Sequence, residues 1–297
     1  MNYFLVQNRS RMSNRILVTG ATGNIGLEVV RLLSEQGNQF KAAVRSHSTS
    51  RYHLPSGVES VRFDFEQPQT FEPAFAGIHT LFLVRPPAIS QVKKYIYPAI
   101  ATAQAVGVER VVFLSLLGAE SMAIVPHAKI EAYIKSLGLA YTFLRASFFM
   151  QNLSTTHCQD IRGNNEIFVP AGKGKTSFID VRDIAAVAVK VMTEPGHENQ
   201  AYPLTGSKAL DYYEVAEIFT NILGRQIVYA NPSIFKFAWR MYKRGLKKEL
   251  IAVMLGIYTT ARLGLAAKVT EDVRHLLQRS PISMEEFVRS YRASWML

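Results

Sequence analysis

Apolar and polar positions follow two alternating periods through the first half of the chain, and the pattern changes near Ser147. Short β-rich apolar runs at residues 15–19, 40–44, 58–63, 80–84, 110–115 and 141–144 read as strands. Between them, residues 25–33, 89–106 and 129–137 carry apolar side chains at helical spacing and are followed by Gly37, Gly107 and Gly138. Strands alternating with helices require a parallel sheet covered on both faces, because a parallel crossover needs an intervening element. In such sheets ligands bind beyond the carboxyl ends of the strands, where strand order reverses. Residues just after each strand are therefore site candidates, and mid-strand residues are core. Beyond residue 147 helices predominate, with strand-like pieces at 166–169, 201–204 and 226–229. The expected organisation is a disordered leader over 1–14 and a Rossmann-type, doubly wound α/β domain over 15–150. A smaller, mostly helical lobe over 151–297 follows, interleaved with the sheet rather than independent.

The first strand runs straight into Gly20-Ala21-Thr22-Gly23-Asn24-Ile25-Gly26, and a helix follows at once. A lone glycine pattern is weak; this strand–turn–helix context points to the cradle for the pyrophosphate of a nicotinamide dinucleotide. Gly20 permits the tight turn, Gly23 lets the backbone approach the phosphates, and Gly26 allows close packing of helix on strand. Thr22, Asn24 and Ile25 complete the expected cradle, where free N–H groups at the helix start attract negative charge.

The first two glycines are one residue further apart than in G-x-G-x-x-G. The series then continues with Ala43-Val44-Arg45, Phe63-Asp64-Phe65, His127-Ala128-Lys129-Ile130-Glu131 and Tyr141-Thr142-Phe143-Leu144-Arg145. Phe178-Ile179-Asp180-Val181-Arg182-Asp183-Ile184-Ala185, Leu204-Thr205-Gly206 and Val269-Thr270-Glu271-Asp272-Val273 complete it. In that order, from Arg15 almost to the end, the chain resembles the NmrA-like group of atypical short-chain dehydrogenase/reductase proteins, and its quinone-reductase-like members in particular. The resemblance implies pyridine-nucleotide binding. It implies either an NADPH-dependent oxidoreductase reducing a quinone or conjugated carbonyl by hydride transfer, or a non-catalytic redox sensor or assembly factor acting through a protein partner.

NAD-binding sites of this type usually end the second strand with an acid that accepts from the ribose 2′-OH. Arg45 stands there instead, and a guanidinium binds a 2′-phosphate bidentately, which favours NADP(H) over NAD(H). Ser46 and His47 are further donors. Asp64 and Phe65 follow the third strand, Asp64 being the residue that the resemblance assigns to the adenine amino group. Val84 and Arg85 follow the fourth strand on the adenosine and pyrophosphate side, and Ser115 ends the fifth near the nicotinamide.

The Tyr-x-x-x-Lys pair of ordinary short-chain dehydrogenases is absent, since Tyr133 is followed four residues on by Leu137. His127 lies fourteen residues before Tyr141. Isoflavone-reductase relatives carry a catalytic lysine at that distance, and quinone-reductase-like members a histidine. An imidazole with its ordinary pKa can donate a proton or hydrogen-bond a carbonyl oxygen; the alternative is that His127 caps its helix or holds the nicotinamide amide. Lys129 is the second ionisable group beside it, a candidate cofactor contact that also reads as a solvated helix residue. Quinone reduction needs no dedicated acid, because donors stabilise the developing phenolate until water protonates it. Phe148, Phe149 and Asn152 after the sixth strand, with Phe178 from the second lobe, are expected around a flat apolar substrate, although aromatic runs more often form core.

Composition narrows the remaining classes. The 297 residues carry 48% hydrophobic and 19% charged side chains, ordinary for a globular protein. The single cysteine, Cys158, excludes an internal disulfide and a zinc cluster and reads as inert, no metal is expected, and a cytoplasmic setting fits. No apolar run approaches the roughly 20 residues of a spanning helix. The formal charge of +11 concentrates in Arg240, Lys243, Arg244, Lys247 and Lys248, a local cluster that reads as a solvated basic face or one attracted to an anionic ligand or membrane surface, rather than to nucleic acid.

Overall fold

The computed structural model describes residues 15–46 and 54–296; the expected leader and His47 lie outside the described residues. The first strands and helices are β1 (Ile16–Val18), α1 (Asn24–Glu35), β2 (Phe40–Val44), β3 (Ser60–Arg62), α2 (Phe71–Phe75), β4 (Thr80–Leu83), α3 (Val92–Ala105), β5 (Arg110–Leu116), α4 (Pro126–Ser136) and β6 (Ala140–Ala146). There follow α5 (Cys158–Asn164), β7 (Glu166–Ile167), α6 (Val181–Thr193), β8 (Gln200–Leu204), α7 (Tyr212–Leu223) and β9 (Val228–Tyr229). The last helices are α8 (Ile234–Lys243), α9 (Lys248–Arg262), α10 (Asp272–Leu277) and α11 (Met284–Ser290).

The main sheet has the order β3-β2-β1-β4-β5-β6-β8. Ile16 lies in register with Phe40 on one side and Thr80 on the other, both pairings parallel. All three residues of β1 are buried, as central parallel strands covered on both faces must be. Strand order reverses between β1 and β4, so their carboxyl ends, Thr19-Gly20 and Val84-Arg85, border the crevice where this fold takes ligands.

One compact unit comprises the described residues up to Arg145 together with Ala185–Tyr202; the other comprises Ala146–Ile184 and the chain from Pro203. Leu17, Ile96, Ile100, Phe113, Ile130 and Phe143 belong to the core of the first unit. Phe219, Phe287 and Trp295 belong to that of the second, where the Trp295 indole packs edge-on against Phe219 at 4.7 Å and donates to Leu153 O at 3.1 Å.

The three strand-like pieces of the second half fall into two sheets. The piece at 201–204 is β8, the edge strand of the main sheet. The pieces at 166–169 and 226–229 shrink to β7 and β9, a separate two-stranded parallel sheet. Strand partners are set by chain segments far apart in sequence, which a local pattern does not encode. The series around Asp180 is capping and packing chemistry. Asp180, fully buried, accepts from Arg182 N at 2.8 Å and from the Arg182 guanidinium, so it starts α6. Gln151 braces it from Nε2 at 2.8 Å and accepts from Val181 N at 3.0 Å.

Candidate functional site

The glycine turn is built by backbone contact. Gly20 has φ +65, a conformation that L side chains rarely adopt, and its carbonyl accepts from Gly23 N at 2.8 Å. A Cβ on Gly26 would lie 2.1 Å from Gly20 O, so α1 crosses the turn at a distance only glycine allows. Gly23 is the N-cap of α1 and no side chain caps that end. The first bond back to the turn is Leu27 N to Gly23 O at 2.9 Å, which leaves the N–H groups of Asn24, Ile25 and Gly26 for an anion. Thr22 lies half-buried in the turn. The cradle suits a pyrophosphate: glycine at each close approach, uncapped donors, and no carboxylate in the turn.

Thr19, which the pattern did not single out, fixes the two sides of the crevice. Its Oγ1 donates to Phe82 O at 2.9 Å and accepts from Val84 N at 2.8 Å, tying the end of β1 to the end of β4. Val84 Cβ also stands 3.2 Å from where a Cβ on Gly20 would be.

Arg45 ends β2 exposed, with no ion pair or hydrogen bond among the described residues. Asp64 is half-buried; its Oδ1 accepts from Glu66 N at 3.0 Å, closing a turn and leaving the second oxygen available. The Phe65 side chain is core, edge-on to Phe63 at 4.8 Å, so only its backbone can meet a ligand. Arg85 is likewise redirected: its Nη1 donates to Pro86 O at 2.9 Å, Pro87 O at 3.2 Å and Ile89 O at 2.7 Å. Those bonds hold the loop after β4, and burial lowers the Arg85 pKa.

Ser115 belongs to a buried ionic network at the ends of β5 and β6. Its hydroxyl donates to Glu131 Oε1 at 2.5 Å, and Arg145 donates to the same oxygen at 3.1 Å and to Oε2 at 2.7 Å. Arg145 also pairs with Glu120 at 3.1 Å. Glu131 therefore orients the serine hydroxyl with its own charge matched, the condition for keeping a buried carboxylate. Its only local signal was one buried-face position on α4, since its partners come from other elements.

His127 lies in the first turn of α4, its ring 5.9 Å from that of Phe113 at 26°. Burial, reinforced by the positive charge of Arg85, pushes its pKa down to about 3. The sequence reading assumed an imidazole near its ordinary pKa; here it is neutral at pH 7, able to donate one N–H hydrogen bond but carrying no spare proton. Lys129 is exposed on the same helix; its carbonyl accepts from Tyr97 Oη at 2.9 Å.

The apolar candidates divide within the second unit. Phe178 packs in the core, edge-on to Tyr212 at 5.4 Å. Gly206 packs so closely on it that a Cβ would meet Phe178 O at 2.1 Å. Phe148, Phe149 and Asn152 are half-buried, with Phe149 bridged to Ile179. The Cys158 thiol donates to Ser294 O at 3.2 Å and burial raises its pKa, which suits an unreactive side chain.

The basic cluster is partly internal. Arg244 donates to the fully buried Asp160 at 2.8 Å and 2.5 Å, and Arg240 reaches the same carboxylate at 3.1 Å while lying 3.3 Å over the Phe168 ring. Beside them His157 is held neutral, its pKa pushed down to about 4 by burial and by Arg244 against the pull of Asp160, and it bonds to Tyr258 Oη. Among the described residues no group of His, Cys, Asp and Glu is arranged to hold a metal, and no helix is long and apolar enough to cross a membrane.

An NAD(P)H azoreductase from Xenophilus azovorans is 36% identical over 284 residues, covering 94% of this chain and 99% of the relative. An NADPH-dependent quinone oxidoreductase from Escherichia coli, solved with NADPH, has a TM-score of 0.83 at 25% identity and covers 93% of this chain and 99% of that chain. A triphenylmethane reductase from Citrobacter sp., solved with NADP(H), has a TM-score of 0.82 at 26% identity over 93% and 99%. The model of the NmrA-like family matches residues 12–288, and with the turn, the strand order and the series of residues in place, the chain belongs to that family.

Proposed function

We propose that the protein is an NADPH-dependent oxidoreductase that passes hydride to a flat conjugated acceptor, a quinone or a similar conjugated carbonyl, and that it prefers NADP(H) to NAD(H). The observation that carries the reading is the uncapped glycine turn beside an exposed Arg45 with no acid at the end of β2. The relatives named as an NAD(P)H azoreductase, an NADPH-dependent quinone oxidoreductase and a triphenylmethane reductase bound to NADP(H) support it. NADPH, when bound, supplies the hydride. The N–H groups of Asn24, Ile25 and Gly26 hold the pyrophosphate, Arg45 the 2′-phosphate, and the second oxygen of Asp64 the adenine amino group. Ser115, fixed by Glu131, and His127 serve the nicotinamide end. Because His127 is neutral, it donates a hydrogen bond to the oxygen that gains charge, and water delivers the proton. Phe148 and Phe149 are the apolar candidates for acceptor contact.

Loss of NADPH absorbance with a panel of quinones and conjugated carbonyls tests the reaction. Turnover is expected, with kcat/KM about 100-fold lower in His127→Ala, the scale of one lost oxyanion donor. The rate should show no midpoint between pH 5.5 and 8 that disappears in His127→Ala, since the imidazole titrates only near 3. Such a midpoint would mean that an imidazolium delivers the proton. Tight NADP+ binding with no consumption on any acceptor would replace the enzyme with a dinucleotide sensor acting through a protein partner.

Arg45→Asp tests the cofactor separately. NADPH affinity should fall about 10–100-fold, the scale of a lost charge-assisted contact, while NADH affinity holds or rises. Equal change for the two cofactors would remove Arg45 from the 2′-phosphate.

A further inference from the structure

The second unit presents an apolar face that no described residue covers. On α8, Phe235 is 86% exposed and Trp239 60%, and both share one side of the helix with Tyr242. Trp239 and Tyr242 stack at 6.3 Å, and Lys243 Nζ sits 5.1 Å over the indole. Ala238 and the first two turns of α9 complete a shallow groove of about 380 Å³ between the two helices. On the far side of α9, Leu250, Val253 and Ile257 are exposed as well. Aromatic rings left in water forgo the burial that makes them dominant at interfaces, and an exposed cluster such as Phe235, Trp239 and Tyr242 marks a binding face.

The charges around this face indicate what covers it. From Asn231 to Glu249 there are six Lys and Arg residues against one acid, the exposed Glu249 at the start of α9. Arg240 and Arg244 are spent on Asp160 and Glu166, so the outward charge comes from Lys236, Lys243, Lys247 and Lys248, all exposed and without an ion pair among the described residues. A second copy on a two-fold axis would set these lysines against each other. Stacked bases would use the aromatic rings but leave Leu250, Val253 and Ile257 unmatched. An anionic lipid surface satisfies both halves. Trp and Tyr sit at the headgroup level, aliphatic side chains enter the acyl boundary, and lysines on flexible stems reach the phosphates.

We propose that α8 and α9 form an interfacial hairpin that docks the protein on anionic lipid membranes. Docking requires neither cofactor nor turnover, so it stands or falls separately from the reductase reading. The full chain should co-sediment with vesicles of phosphatidylcholine and phosphatidylglycerol, and weakly with phosphatidylcholine alone. Of the two tryptophans Trp239 is exposed and Trp295 fully buried, so a blue shift of the emission on vesicle addition reports Trp239 alone. Trp239→Phe should abolish the shift. Changing the four lysines to Gln should weaken partition more than 100-fold, at about fivefold each, and added salt should act in the same direction. Phe235→Ser/Trp239→Ser should abolish binding with an unchanged circular dichroism spectrum. Absence of binding to anionic vesicles overturns the proposal. So does a concentration-dependent dimer that dissociates in the Phe235→Ser/Trp239→Ser variant, or binding of an oligonucleotide that the vesicles do not compete away.

Discussion

Gly26→Val is expected to raise the Kd for NADPH by more than 100-fold. A Cβ at this position would meet Gly20 O at 2.1 Å, Gly20 C at 2.6 Å and Ala21 Cα at 2.9 Å. All three are backbone atoms, so no side chain can rotate away; either the turn opens or α1 lifts from β1. Both movements displace the uncapped N–H groups proposed to hold the pyrophosphate, and an ångström of displacement removes most of a hydrogen bond. Calorimetric titration with NADPH measures the loss. Gly23→Ala keeps the test sound should valine prevent folding, because its Cβ meets only Gly20 O, at 3.3 Å, and mainly narrows the approach of the phosphates. Gly163→Ala in α5, with open space around it, is the control and should leave binding unchanged. Full affinity in both Gly26→Val and Gly23→Ala would show that the dinucleotide binds elsewhere.

Arg244→Met is expected to cost about 3 kcal/mol of stability at pH 7, within the range for breaking a buried ion pair. Asp160 is fully buried and receives two bonds from Arg244, with Arg240 as a more exposed second partner. Burial alone would raise the Asp160 pKa; the hydrogen bonds and charge of Arg244, with Arg240, outweigh it and hold the carboxyl below its usual value. A lowered carboxylate pKa contributes stability that is present above the unfolded value of about 3.9 and lost as pH falls through the folded one. The difference between wild type and Arg244→Met should therefore be largest at neutral pH and shrink below about pH 4. Urea midpoints across that range measure it. Asp160→Asn in the Arg244→Met background should recover part of the loss, since the stranded charge is gone; a double variant no more stable than the single one would place the cost in packing.

The glycine turn and most of the first-half strand positions were legible because both depend on short-range rules. A buried strand needs an apolar run and a helix needs a 3.6-residue period. A strand–turn–helix corner that meets phosphate needs glycine wherever a Cβ would collide. β2 was read at its observed bounds, and β4 and β5 within a residue at one end. The five-residue α2 was missed because so short a helix shows little more than one turn of period. The sheet that β8 joins is not legible locally, because its neighbour there, β6, ends more than fifty residues earlier.

The site divides in the same way. Residue types alone showed a glycine turn of dinucleotide-cradle spacing near the start of the chain, an arginine where a ribose-binding acid usually stands, and no tyrosine–lysine pair. Only the tertiary structure decided how the remaining groups are charged and aimed. Burial beside Arg85 turned His127 from a candidate acid into a neutral donor. Glu131 became the orienting partner of Ser115 once β5, β6 and α4 came together. Arg240 and Arg244 turned inward to a carboxylate some eighty residues away, leaving the lysines to face outward. The physical reason is common to all three. Backbone geometry is dictated by a residue and its near neighbours, whereas a pKa or an ion pair depends on solvent exclusion and on charges that only the folded chain brings within reach.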